Sequence, residues 1–122
     1  MSLTKRLQSF GFAIKGLKTL FQTQANARIH ALAIVVVTAF GFYFKIETWE
    51  WCSVVIAFAI VLSTEAMNTA IEFVVDLVSP QYHPLAGKAK DVAAAAVLIA
   101  AMGAVMIGAI IFLPKILDLF QK

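Results

Sequence analysis

Apolar residues along the chain fall into three long runs. The runs cover residues 29–44, 51–78 and 92–113, and the short polar segments KIETWE and SPQYHPLAGKAKD separate them. The third run carries no charged residue, and at about 1.5 Å of rise per helical residue it is long enough to cross about 30 Å of hydrocarbon. The pattern therefore predicts three membrane-spanning helices, the last of which ends at Pro114 and Lys115.

The first run is the shortest of the three. It must either borrow residues from the preceding segment QANARIH or lie in locally thinned lipid. Tyr43, Trp49 and Trp51 cluster around KIETWE, and such rings favour the headgroup level of a bilayer. We therefore expect a tight turn at the membrane interface between the first two spans.

Residues 1–28 show a different pattern, in which apolar residues recur at alternating steps of four and three. They are Leu3, Leu7, Phe10, Ile14, Leu17 and Phe21. One such stripe, with basic residues off it, is typical of an amphipathic helix that lies in the membrane surface. The alternative is a helix packed against the core of the spans.

The composition is that of a membrane protein. Of 122 residues, 61% are hydrophobic and 14% are charged, which departs from average soluble domains in both respects. Residues 1–122 suffice for one domain but not for a large soluble core, so we expect the apolar surface to meet lipid or further copies of the chain. Cys52 is the only cysteine, which excludes an intramolecular disulfide. No nucleic-acid partner is expected.

The basic residues predict the orientation of the chain in the membrane. Five precede the first span and two lie between the second and third, whereas only Lys45 lies in the first turn; the seven are Lys5, Arg6, Lys15, Lys18, Arg28, Lys88 and Lys90. Positive residues favour the cytoplasmic side. This predicts a cytoplasmic N-terminus and an external C-terminus, although Lys115 and Lys122 weaken the bias.

Three carboxylates and an amide interrupt the second apolar run. At about 100° per residue, Glu65, Asn68, Glu72 and Asp76 fall at roughly 0°, −60°, −20° and +20° around a helix, and we call these four residues the acidic face. Carboxylates inside a membrane are costly unless paired, protonated or bound to a cation, so they are candidates for a functional site. The alternative is that Glu72 and Asp76 have emerged into water and Glu65 is a satisfied packing residue.

The polar loop before the third run supplies opposite charge. Lys88, Lys90 and Asp91 lie at the predicted entry to the third span, with Asp91 at or near a helix N-cap. A solvated cap is an equally good interpretation of these residues. His83 in this loop, and His30 in the first span, are single histidines of the kind that is more often structural than catalytic.

Acids on one helix face, opposed by lysines at a cytoplasmic membrane edge, suit phosphoryl transfer. Carboxylates hold Mg²⁺ on the nucleotide phosphates, lysines neutralise charge, and one carboxylate accepts a proton from the attacking hydroxyl. The sequence contains no G-x-x-x-x-G-K-[ST] motif, so any nucleotide site is not a P-loop. A cation- or proton-coupled transporter would also use membrane carboxylates, and these patterns alone leave both hypotheses open.

The segment EAMNTAIEFVVD (65–76), followed by YHPLAGKAKDVAAAAV, closely resembles the prokaryotic diacylglycerol kinase family, which includes the undecaprenol kinases. The resemblance covers nearly the whole chain, including AIKGLKTLF near the N-terminus. It implies an all-α bacterial inner-membrane enzyme that forms homotrimers with shared active sites, with a surface helix ahead of three spans. It also implies Mg²⁺ as cofactor and transfer of the γ-phosphoryl group of ATP to a lipid hydroxyl.

The resemblance assigns roles to individual residues. Glu65 matches the general base, and Glu72 matches a magnesium ligand. The implied nucleotide-binding residues are Lys5, Arg6, Asn68, Glu72, Asp76, Lys90 and Asp91. One departure stands at Gln24, where the family usually has a Glu as a second magnesium ligand. Because an amide oxygen supplies no charge, we expect weakened metal binding and activity, and a catalytically inactive scaffold becomes a third hypothesis.

The acceptor lipid is less sharply indicated. The segment YHPLAGKAKDVAAAAV is more similar to the undecaprenol kinase branch than to the enterobacterial diacylglycerol kinase branch, and either lipid presents a primary hydroxyl.

In the third span, small residues recur every four positions at Ala96, Ala100, Ala104 and Gly108. Such a ridge allows helices to approach closely, which would help a short chain to build an oligomer.

Overall fold

A computed structural model describes residues 2–122 as four helices, with no strand in that range. The helices are α1 (Leu3–Thr23), α2 (Ala25–Tyr43), α3 (Thr48–Val78) and α4 (Pro84–Phe120). Helices α2, α3 and α4 are each long and apolar enough to cross a bilayer. The predicted all-α membrane protein, with one N-terminal helix ahead of three long apolar helices, is confirmed.

A single extended residue separates α1 from α2. Gln24 has φ −114° and ψ 112°, and its backbone N–H donates to Leu20 O at 2.9 Å. The sequence predicts a boundary between residues 28 and 29, but the two helices meet at Gln24. Helix α2 therefore includes nearly all of QANARIH, which gives the first span its missing length.

Helix α1 lies against the rest of the chain only through its second half. Leu20 is its one buried residue in the described range, whereas Leu3, Leu7 and Phe10 are all exposed. The apolar stripe is therefore not covered by the chain's own core, which argues against the alternative of a packed core helix. An amphipathic helix with an uncovered stripe fits a membrane surface.

The turn between α2 and α3 is held by reciprocal hydrogen bonds. Lys45 adopts a left-handed φ of 51°, and the Ile46 N–H donates to Gly41 O at 3.1 Å. The carboxylates of Glu47 and Glu50 each accept a backbone N–H from the other residue, which caps the first turn of α3. The predicted tight turn is present, although α3 begins at Thr48 and not at Trp51.

Helix α4 is longer at both ends than the sequence predicted. It begins at Pro84, where His83 Nδ1 accepts a hydrogen bond from Leu85 N–H at 3.1 Å and proline occupies the first helical position. Asp91 consequently lies inside the helix, and its prediction as an N-cap is wrong. At the other end α4 continues through Pro114 to Phe120, so Pro114 and Lys115 do not terminate it.

Helices α3 and α4 pack antiparallel along their whole length. Asp76 pairs with Lys90 at one end and Glu50 pairs with Lys115 at the other. Near the Glu50 end, the buried residues Ile46, Val54, Ile111 and Phe112 form the apolar core. Large apolar side chains on the outer surfaces of all four helices remain exposed, so lipid or further copies of the chain must cover them.

Candidate active site

Glu65 is the most deeply buried acid of the acidic face. Its side chain is 2% exposed, and within residues 2–122 its Oε1 atom has no hydrogen-bond partner. The Thr69 hydroxyl donates to the backbone carbonyl of Glu65 at 2.9 Å and so does not serve the carboxylate. A buried carboxylate oxygen without a hydrogen bond is costly, which is expected of a group kept for function.

Asn68 and Glu72 form the middle of the acidic face. Asn68 Nδ2 lies 3.5 Å from Glu72 Oε1, at the outer limit of a hydrogen bond. Asn68 Oδ1 is buried and, like Glu65 Oε1, is without a hydrogen-bond partner among the described residues. Two unpartnered oxygens and a half-buried carboxylate thus lie within two turns of one helix, where they could receive a cation or a donor group.

The side-chain oxygens of Asn68 and Glu72 are of the chemical type that binds magnesium. Mg²⁺ binds through one or two carboxylates, retains waters and takes phosphate oxygens as further ligands, so Glu72 with the Asn68 amide oxygen is a suitable protein contribution. Within residues 2–122, no three His, Cys, Asp or Glu side chains are close enough together to form a metal site by themselves. The remaining ligands must therefore come from nucleotide, water or another chain.

Asp76 and Lys90 connect the end of α3 to the start of α4. Lys90 Nζ lies 2.6 Å from Asp76 Oδ1, and the two side chains are 40% and 63% exposed. An ion pair this exposed contributes little to stability. Its effect is to hold one positive and one negative group beside the acidic face, at the mouth of the α3–α4 hairpin.

Two apolar cavities adjoin the Glu65 level of α3. One, of about 570 Å³, lies between α1 and α3 and is lined by Gly16, Leu20, Ala66, Thr69 and neighbouring residues. The other, of about 240 Å³, lies between α2, α3 and α4, and its lining includes His30, Val61, Ala104 and Gly108. Apolar clefts beside a polar group are the usual form of a site for an amphipathic ligand.

A comparison of the sequence with known protein families identifies the family of the chain. The family model described as prokaryotic diacylglycerol kinase matches residues 11–112, which is most of the chain and includes the acidic face and both cavities. The chain belongs to this family. Its members are lipid kinases, so the resemblance seen in the sequence is confirmed, and the chain is an enzyme of that class.

Named relatives extend over the same region. An undecaprenol kinase of Bacillus subtilis is 39% identical over 114 residues, covering 93% of each chain. A diacylglycerol kinase of Synechocystis sp. is 41% identical over 114 residues, which are 93% of this chain and 65% of the relative. A diacylglycerol kinase of Escherichia coli is 31% identical over 103 residues, or 84% of each chain. These similarities favour the kinase hypothesis over the transporter hypothesis.

Some residues with predicted roles make no ion pair with the acidic face among the described residues of this kinase chain. Lys5, Arg6 and Asp91 are exposed, and within residues 2–122 their side chains make no ion pair. Gln24 is half-buried at the break between α1 and α2, where its Nε2 lies 3.5 Å from Thr23 Oγ1. Contacts within residues 2–122 thus join Asn68 to Glu72 and Asp76 to Lys90 beside Glu65, and they include none of the other predicted site residues.

His30 is a residue of the site that the sequence analysis set aside. Its Nε2 lies 3.4 Å from Glu65 Oε1 across the α2–α3 interface. The signal in the sequence was a titratable side chain inside an apolar run, which by the argument used for Glu65 is itself a functional candidate. The sequence could not show which residue of α3 it would face.

Proposed function

We propose that the protein transfers the γ-phosphoryl group of ATP to the hydroxyl of a membrane lipid alcohol, either undecaprenol or diacylglycerol. The observation that carries this proposal is Glu65, a carboxylate 2% exposed in an apolar helix, whose Oε1 has no hydrogen-bond partner in the described chain. Two apolar cavities beside it offer room for lipid chains. Membership of the lipid kinase family supports the same chemistry.

Glu65 acts as the general base in this proposal. Its carboxylate accepts the proton of the lipid hydroxyl while the hydroxyl oxygen forms a bond to the γ-phosphorus. The bond between that phosphorus and the β–γ bridging oxygen breaks, and ADP leaves with the electron pair. The buried position keeps the carboxylate away from bulk water, so the proton it accepts comes from the bound alcohol.

Glu72 and Asn68 are the residues that would hold Mg²⁺, through the carboxylate and the unpartnered Oδ1. When bound, the ion neutralises charge on the nucleotide phosphates. Lys90 adds a positive group and Asp76 positions it through their 2.6 Å contact. Lys5, Arg6 and Asp91 complete the proposed nucleotide-binding set, and the resemblance of their sequence positions supports their inclusion.

The acceptor is proposed as a class because the relatives differ. The Bacillus subtilis relative is named an undecaprenol kinase and the Synechocystis relative a diacylglycerol kinase, at 39% and 41% identity. The loop segment YHPLAGKAKDVAAAAV favours undecaprenol as the first acceptor to test. The distribution of basic residues supports an active site on the cytoplasmic face of the inner membrane, where ATP is available.

The proposal is tested by transfer of labelled γ-phosphate from Mg·ATP in detergent micelles, with undecaprenol and diacylglycerol assayed side by side. We expect labelled lipid with the parent chain, and a loss of kcat of at least about a hundredfold with Glu65→Gln, which removes the proton acceptor. Glu47→Gln, at the opposite end of α3, is the matched control and should retain activity. Transfer that is absent with both lipids, or that Glu65→Gln leaves unchanged, would contradict the proposal.

A catalytically weakened member of the family is the second candidate. Gln24 supports it, because a neutral amide occupies the place of a charged ligand. This candidate predicts binding of nucleotide and lipid with slow turnover. The same assay separates it from an inactive scaffold, since a weakened enzyme labels lipid slowly and an inactive scaffold labels none.

A further inference from the structure

His30 is the polar side chain that faces Glu65 from a neighbouring helix. It lies on α2, its side chain is 22% exposed, and its Nε2 is 3.4 Å from Glu65 Oε1. The same side chain borders the apolar cleft between α2, α3 and α4. The imidazole is therefore held between an apolar wall and the buried carboxylate.

The groups on α3 itself leave Glu65 without a donor. The Thr69 hydroxyl is bonded to the Glu65 backbone carbonyl, and the Asn68 amide is directed to Glu72. Among the described ion pairs of the chain, His30 is the one partner of Glu65. If the carboxylate is to be fixed in one orientation, the donor must come from α2.

Imidazole is suited to this task. Nε2–H is present in the charged ring and in one of the two neutral tautomers, so a donor is available without a requirement for charge. The 3.4 Å separation is longer than an ordinary N–H···O bond of about 2.7–3.2 Å. Such bonds are commonly long in ligand-free active sites and tighten when substrate binds.

We propose that His30 is a positioning residue for Glu65: its Nε2–H donates to Oε1 and so aims the other carboxylate oxygen at the lipid hydroxyl. This inference rests on the proposed function, in which Glu65 is the base. His30 itself touches neither lipid nor nucleotide and takes up no proton in the reaction. Its effect is on the geometry of the proton acceptor, where an error of about 1 Å can cost a hundredfold in rate.

A purely structural His30, filling space at the end of the cleft, is the competing explanation. His30→Phe keeps an aromatic ring of similar size and removes the donor, whereas His30→Gln keeps an N–H donor on a flexible side chain. Positioning predicts that His30→Phe lowers kcat by about tenfold to a hundredfold, with KM for Mg·ATP and the thermal unfolding midpoint close to those of the parent. His30→Gln should recover a large part of the lost kcat. A filler role predicts the reverse order, with Phe tolerated better than Gln.

The contact also has a readout that does not depend on turnover. The chain contains two histidines, so ¹⁵N labelling of histidine gives two ring systems in NMR spectra of the full chain in micelles. His83, whose Nδ1 accepts from Leu85 N–H at the start of α4, serves as the internal reference. We expect Glu65→Gln to shift the His30 ring nitrogens and to leave those of His83 in place.

The outcomes separate this inference from the proposed function. A parent chain that labels no lipid overturns the function, and the role of His30 with it. An active parent whose His30→Phe variant keeps the parent kcat, or whose His30 nitrogens are unmoved by Glu65→Gln, overturns the role of His30 alone. A lowered kcat in His30→Phe, recovery in His30→Gln and a selective shift of the His30 signals support it.

Discussion

Gln24 places a neutral amide where charge would be useful. It is the extended residue between α1 and α2, and the family usually has a glutamate at this position. We predict that Gln24→Glu raises kcat by about tenfold and lowers the Mg²⁺ concentration needed for half-maximal rate, because a carboxylate binds the ion more strongly than an amide. A glutamate at the N-cap of α2 also agrees with the helix dipole.

The measurement is the initial rate of lipid phosphorylation over a series of Mg²⁺ concentrations. Gln22→Glu is the matched control, since it adds the same charge on an exposed side chain two residues away. If Gln24→Glu is no faster than the parent, or if Gln22→Glu gives an equal gain, then Gln24 does not act as a metal-site residue.

At the residue scale, the sequence placed the acidic face correctly and missed its neighbour. Glu65, Asn68, Glu72 and Asp76 share one helix, so a rotation of about 100° per residue suffices to bring them together. The contact between His30 and Glu65 joins two helices. It depends on how α2 packs against α3, which no single-helix pattern contains.

At the element scale, the apolar pattern predicts that α4 exists but does not predict where it begins and ends. The uncharged run places Asp91 at or near the N-cap, but His83 and Pro84 begin the helix two turns earlier. The sequence pattern predicts a stop at Pro114, yet α4 continues through it, even though an interior proline removes one hydrogen bond and crowds the carbonyl four residues earlier. Beyond it, Lys115 Nζ donates to Ile111 O at 3.1 Å and to Glu50 Oε2 at 2.8 Å. The contact with Glu50 holds the last turns of α4 against α3, and the sequence near Lys115 does not reveal it.

The Lys115–Glu50 ion pair should stabilise the end of the hairpin remote from the acidic face. Glu50 is 6% exposed and Lys115 29% exposed at the side chain, so Lys115→Met removes the positive charge from a buried carboxylate and leaves it the Glu47 N–H as donor. We predict a loss of about 3 kcal/mol of stability, seen as a lower midpoint of thermal unfolding in micelles. Lys122→Met, which removes the same charge from an exposed position at the end of the chain, should unfold like the parent. Equal midpoints for the two variants would show that the pair contributes nothing.

At the scale of the whole molecule, the contacts within residues 2–122 join only some of the predicted site residues. Lys5, Arg6 and Asp91 are exposed, and the described chain offers no three-residue metal cluster. Large apolar surfaces on all four helices also remain uncovered. The small residues Ala104 and Gly108 line a cleft between α2, α3 and α4 of the same chain. We propose a homotrimer in which α1 of one chain completes the acidic face of another.

This arrangement predicts that two defective chains restore activity when mixed. Glu65→Gln removes the base from α3, and the double variant Lys5→Ala/Arg6→Ala removes the basic pair from α1, so each assembly alone should be nearly inactive. In randomly mixed oligomers, about one site in four takes α3 from the Lys5→Ala/Arg6→Ala variant and α1 from the Glu65→Gln variant, and so contains all groups intact. We therefore expect about a quarter of the parent rate after unfolding, mixing and refolding in micelles.

A mixture of Glu65→Gln with Glu72→Gln is the control: both changes lie on α3, so no mixed site has a whole acidic face and no rate should return. Restoration in the first mixture alone requires a site shared between chains, whereas no restoration in either mixture means that α1 serves the acidic face of its own chain.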